Sequence, residues 1–98
     1  MSGAMPISPW RIIAPAVTAS IGATHQETTG APNGVHAVLI QATGDCHVRI
    51  GTGNAVATDT LIRSAYPPLI FGVHPGEVVS VIQDAAATGT LFATWLTH

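Results

Sequence analysis

The chain contains no lysine. Its fixed positive charges are Arg11, Arg49 and Arg63, and its acids are Glu27, Asp45, Asp59, Glu77 and Asp84. Charged residues make up 8% of the 98 residues, against about 25% in an ordinary soluble domain. This scarcity, with a net charge of −2, argues against electrostatic binding of nucleic acid or of an anionic membrane, which needs clustered Lys and Arg. Cys46 is the only cysteine. It has no partner for an intramolecular disulfide, and the expectation is a chain made in a reducing cytoplasm. No apolar run approaches the roughly 20 residues of a transmembrane helix. The stretch Met1–Trp10 lacks the basic start and apolar core of a signal peptide.

What the chain does have is small and neutral. Apolar residues reach 47%, much of it alanine, and the polar remainder is mostly Thr, Ser, Gly and Asn. Solubility normally rests on interspersed surface charges. A surface of Thr, Ala, Gly and Ser is instead the chemistry of close neutral packing, and interface cores are depleted in charge, lysine above all. The expectation is a homo-oligomer or a subunit of a larger assembly, with much of its surface covered by neighbours.

The length fits one domain. Residues 1–20 read as an extended arm: Pro6 and Pro9 punctuate its start, and Ile12, Ile13 and Val17 surround Pro15, which confines the segment to a sheet edge or a bulge. Residues 21–98 read as a single β domain. Ile21–Gly34 is polar and rich in turn residues, ending in Asn33-Gly34, a strong turn dipeptide. Alternating apolar residues then mark strands at Val35–Thr43, Cys46–Ile50, Asp59–Arg63, Leu69–His74, Glu77–Gln83 and Thr90–Thr97. Gly44-Asp45 suits a tight hairpin, which would set Thr43 opposite Cys46, Gln41 opposite Val48 and Leu39 opposite Ile50. Pro75-Gly76 carries the signature of a type II turn. No stretch has the capped amphipathic pattern of a useful helix. Six to seven short antiparallel strands at this spacing fit a small β-sandwich, a jelly roll or a compact barrel.

Little in this pattern supports catalysis. The five histidines, His25, His36, His47, His74 and His98, are scattered, whereas a zinc site needs three or four converging ligands. In the hairpin register His36 and His47 are roughly 20 Å apart, at about 3.3 Å per residue. Cys46 and His47 alternate to opposite strand faces, so they form no dyad, and Cys46 reads as a small buried hydrophobe. Glu77 and Asp59 occupy turn-capping positions. Gly51-Thr52-Gly53-Asn54 lacks the lysine and the following helix of a phosphate loop. The expectation is no enzyme, no metal and no cofactor. Arg49, mid-strand among apolar neighbours, needs a carboxylate, from Asp59 or Glu77 internally or from a neighbouring subunit. Trp10 with Arg11, and the rigid corner Tyr66-Pro67-Pro68, are the other interface candidates, since aromatics and arginine concentrate at contact hot spots.

One resemblance bears on function. Asp45-Cys46-His47-Val48-Arg49-Ile50-Gly51 leads into Ala57-Thr58-Asp59, followed by Pro75-Gly76-Glu77, Val81-Ile82-Gln83, Thr88-Gly89-Thr90-Leu91 and Thr94-Trp95-Leu96-Thr97. Residues 35–98 carrying this run resemble small virion structural proteins of tailed phages. The resemblance implies a head decoration, or cement, protein bridging neighbouring shell subunits, with the major capsid protein or other virion subunits as partners. It carries over no active-site residues. A neck or tail accessory protein is the nearest alternative. A β-sandwich module recognising carbohydrate or a receptor is another, resting on Trp10 and Tyr66.

Overall fold

A computed structural model describes residues 10–98. Among them there is no helix. Nine strands form two antiparallel sheets: β1 (Arg11–Ile12), β2 (Val17–Ile21), β3 (Gln26–Glu27), β4 (Ala37–Ala42), β5 (Cys46–Gly51), β6 (Thr60–Ile62), β7 (Leu69–Gly72), β8 (Val78–Gln83) and β9 (Gly89–Thr97). Sheet A runs β1-β9-β4-β7, with β2 joining β1 along the same edge of β9, and sheet B runs β3-β8-β5-β6. The expected small all-β sandwich is therefore the fold, in the jelly-roll arrangement. β2 pairs with β9, β3 with β8, β4 with β7 and β5 with β6, as one long hairpin folded across two sheets.

The hairpin expected at Gly44-Asp45 does not form. β4 belongs to sheet A and β5 to sheet B, so residues 43–45 cross the sandwich and the proposed register between Leu39 and Ile50 does not exist. The reason is packing. Thr43 N–H donates to the Thr90 carbonyl and Asp84 N–H to the Asp45 carbonyl, so the 43–45 and 84–88 crossings lie side by side. A Cβ on Gly44 would collide with the Thr88 carbonyl. Glycine is there for close approach between two crossings rather than for a two-residue turn. The Pro75-Gly76 turn does form: Gly76 has φ +87°, and Glu77 N–H donates to the His74 carbonyl. Its flanking strands also lie in different sheets. Gly34 has φ +88° and Val35 N–H closes back on Pro32, the turn expected at Asn33-Gly34.

Alternation then builds the core. Val38, Ile40, Leu91, Ala93 and Trp95 face inward from sheet A, against Cys46, Val48, Ile62, Val79 and Val81 from sheet B, all almost fully buried. Fully burying side chains of this size contributes about 1.5–3 kcal/mol each. Residues 11–20 of the expected arm are woven into sheet A: Arg11 and Ile12 pair with Thr97 and Leu96, and residues 17–21 pair with residues 89–93. Ala19 and Ile21 are part of the core. The break between β1 and β2 falls around Pro15, which has no N–H to give to a ladder. The remainder of the arm lies outside the described residues.

Candidate interaction surfaces

The outer faces of the two sheets have opposite chemistry. On sheet B, the residues of β5 that alternate away from the core are His47 and Arg49. The connection from Thr52 to Asp59 folds over them. Arg49 donates to Asp59 from Nε, at 3.3 and 3.1 Å to the two carboxylate oxygens, and from Nη2 at 3.1 Å to Oδ1. Asp59 Oδ2 also accepts the Val56 N–H at 2.8 Å. That backbone bond, followed by Arg49, holds the Asp59 carboxyl below the usual carboxylate range. Ser80, fully buried, accepts the Ala55 N–H at 2.9 Å and pins the middle of the loop. Of the two internal partners expected for Arg49, Asp59 takes the role. Glu77 instead accepts the His74 N–H and caps the Pro-Gly turn.

His47 lies beside this pair. Its Nδ1 is 2.9 Å from the Asp59 carbonyl oxygen and its Nε2 is 3.0 Å from Asp84 Oδ1. The carbonyl contact, then the Asp84 carboxylate, raises the imidazole pKa, against the opposing effect of partial burial. At the same end of the sandwich, Asp45 accepts the Ser64 N–H at 2.9 Å and Arg63 Nη1 at 3.2 Å. The Ser64 bond is the main reason its pKa falls. Cys46 points the other way, into the core. Burial, with Asp45 and Asp84 adding to it, pushes its thiol up to about 11.

Sheet A presents no charge on its outer face. Thr18, Phe92 and Gln41 form one cross-strand row. Thr94, Leu39 and Ile70 form the next, and Ile12, Leu96, Ala37 and Gly72 the third. Leu39, Ala37 and Leu96 stand outside the core cluster, but Ala37 and Leu96, at 1% and 4% exposure, are already covered within the chain, so the open part of this face is its first two rows with Ile12 at the edge. Among the described residues, Ile12, Ile70 and Phe92 are three of the five exposed large hydrophobic residues, at 69%, 48% and 38% exposure. The sequence shows the alternation Phe92, Thr94, Leu96, but the pairing of β9 with both β2 and β4 is what assembles these rows.

The other interface candidates are dispersed. Tyr66, Pro67 and Pro68 form an exposed corner on the connection from β6 to β7, closed by the Tyr66 N–H on the Arg63 carbonyl. Trp10 stacks on His98 with ring centroids 4.5 Å apart, and His98 in turn meets His36 at 4.6 Å. Trp10 thus packs on its own domain, and its neighbour Arg11 is exposed on β1. No group of three or more His, Cys, Asp or Glu among the described residues is placed to hold a metal ion. No family model matches the chain, and neither does any curated protein or solved structure.

Proposed function

We propose that this chain is a structural subunit of a phage virion, with capsid decoration as its role. One observation carries the assembly part of the reading: the outer face of sheet A carries no charged residue in its open cross-strand rows through Phe92 and Thr94 and exposes Ile12, Ile70 and Phe92. A face of this kind on a chain with 8% charged residues suits contact with other protein, since large apolar patches rimmed by polar residues mark interaction sites. The likeness of residues 35–98 to small virion structural proteins supports the virion part. The jelly roll is compatible with it, being common in capsid and lectin domains, although a fold alone assigns no function. The work done is mechanical. Each copy bridges neighbouring shell subunits through many weak contacts and resists the pressure of packaged DNA, with multivalency multiplying the affinity of a single contact.

The test is the copy number of this polypeptide in gradient-purified particles, by quantitative peptide mass spectrometry against the major shell protein. A ratio near one to one, or one per few shell subunits, is the expected result. A few copies per particle would overturn decoration in favour of a neck or tail position. Absence from the particles would overturn the virion reading altogether.

A further inference from the structure

We propose that the free edge of β7 pairs with the same edge of a second copy, antiparallel about a two-fold axis, so that sheet A continues from one chain into the next. The proposal stands on the fold and holds whether or not the chain belongs to a virion.

The first observation is the state of the edge. β7 pairs with β4 on one side and with no strand on the other among the described residues. The Val73 N–H donates to the His36 carbonyl, and the register sets Phe71 against Val38 and Leu69 against Ile40. Antiparallel pairs alternate, so Phe71 and Leu69 turn their backbone groups toward β4, while the N–H and C=O of Ile70 and Gly72 point outward. Such an edge is a template for another strand, and proteins blunt it with charge, proline or a bulge. The other edges are blunted. The edge formed by β1 and β2 carries Arg11, breaks at Pro15 and closes on sheet B, where the Gln83 N–H donates to the Gly22 carbonyl. In sheet B, β3 is two residues long and includes Glu27, and β6 lies between Asp59 and Arg63. β7 has neither charge nor proline.

The second observation selects a second copy as the occupant. A two-fold contact pairs a strand with itself. Centring the axis on Phe71 sets Ile70 opposite the partner's Gly72, and Gly72 opposite the partner's Ile70. Every outward N–H and C=O of both strands is then matched. An axis moved back to Ile70 would set Gly72 opposite the partner's Pro68, which has no N–H to give. The side chains fit the same register. Gly72 is not required by its own domain: its φ is not left-handed, and a Cβ there would meet nothing within 4 Å. Glycine weakens a strand and often marks a place where another backbone comes close. Here it leaves room for the exposed side chain of the partner's Ile70. Phe71, packed against the core, meets the partner's Phe71 at the axis as a cross-strand aromatic pair. The exposed Tyr66-Pro67-Pro68 corner then lies toward the partner's turn at His74-Pro75 and widens the contact. With four residues in each strand, the interface is small, so association is weak and rises with concentration.

The test is amide hydrogen exchange of the full chain by NMR, from about 10 μM to about 1 mM, the weak end of specific association. The expected result is that exchange of Ile70 and Gly72 slows by at least about twofold across the series, as it must once half of the chains are paired. Gly72→Pro removes one outward N–H and leaves the ladder to β4 intact, since proline is tolerated on edge strands. Ile12→Pro does the same at the opposite edge. Far-UV circular dichroism and thermal melts identify variants that remain folded. G72P should abolish the concentration dependence at Ile70, and I12P should keep it. Mixed Ile70→Cys and Gly72→Cys chains should form the 70–72 disulfide in preference to either homodimer, because Cα atoms of a hydrogen-bonded pair lie about 5.5 Å apart. Exchange of Ile70 and Gly72 that is fast at every concentration overturns the proposal. So does a folded G72P that associates like the parent, or a preference for either homodimer. Protection at every concentration that disappears on deletion of residues 2–9 would show the chain's own N-terminal segment on the edge, and would exclude the second copy.

Discussion

The imidazole of His47 and the carboxylate of Asp84 meet at 3.0 Å, and the opposite ring nitrogen of His47 is held at 2.9 Å by the Asp59 carbonyl. A carbonyl can only accept, so Nδ1 carries a hydrogen. An ionised carboxylate can only accept, so Nε2 carries one as well. Both contacts are satisfied together only when the ring is an imidazolium, and this is the structural origin of its raised pKa.

The consequence is a pH dependence of known sign. The folded-state pKa of His47 lies above the value of about 6.5 that an unfolded histidine has. The stabilisation from these contacts is therefore complete below about pH 6.5 and is lost as pH rises through the higher folded-state value. Titration of the His47 ring by NMR should give a pKa above the ordinary value. The stability of His47→Gln should decline less than that of the parent between neutral and mildly alkaline pH. Identical slopes for the two proteins would show that the contacts carry no linkage.

Gly44 and Gly22 form a matched pair of tests. A Cβ at Gly44 runs into the Thr88 carbonyl, which is backbone and cannot swing aside, whereas a Cβ at Gly22 meets nothing within 4 Å. Gly44→Ala should lower stability by about 1–3 kcal/mol, in the range of overpacking substitutions. Gly22→Ala should stay within about 0.5 kcal/mol of the parent. Urea denaturation of the two variants measures both, and equal midpoints would mean that the crossings are not pressed together.

Ser80 tests how the loop on sheet B is held. Ser80→Ala deletes the acceptor of the Ala55 N–H in a fully buried setting. Leaving a buried donor unsatisfied costs about 1–3 kcal/mol. The loss should be local, with amide exchange of Ala55 and Val56 accelerating while Val38 and Trp95 keep their protection. Uniform acceleration across both sheets would place Ser80 in the global core instead.

Cys46 should be chemically silent in the native protein. Its side chain is fully buried and its pKa is pushed up to about 11, so almost no thiolate exists near neutrality. A disulfide reagent should label it only at the rate of unfolding and at once in denaturant. Fast labelling of the native chain would contradict the placement of Cys46 between the sheets.

Local structure was legible in the sequence, and partnership was not. The alternation in Leu91, Ala93 and Trp95 gave the core side of β9. The dipeptides Asn33-Gly34 and Pro75-Gly76 marked real turns, because positive φ at glycine is a local requirement. Gly44-Asp45 misleads because turn chemistry says where a chain reverses, and two residues can as readily begin a crossing between sheets as a hairpin within one. Gln26 and Glu27 form a strand through pairing with Val81 and Ser80 alone, with no apolar alternation to announce it. The Arg49–Asp59 pair was foreseeable, since a mid-strand arginine demands a carboxylate. The His47 contacts were not, because Asp84 reaches the ring from a different crossing. The charge-free face of sheet A depends wholly on which strands sit side by side.

The nested pairing also sets a condition on biosynthesis. β9 lies between β2 and β4 and fills the middle of sheet A, yet it is the last of the nine strands to leave the ribosome. Until it emerges, Val38 and Ile40 have no Trp95 and Ala93 beside them, and β2 has no neighbour in its sheet. β3, β5, β6 and β8 can already associate as sheet B and β4 can pair with β7, so the nascent chain carries an incomplete sandwich with the middle of sheet A missing and part of its apolar side open to water. A chain interrupted before Gly89 would keep that open side permanently, along with unpaired strand edges of the kind that recruit other chains.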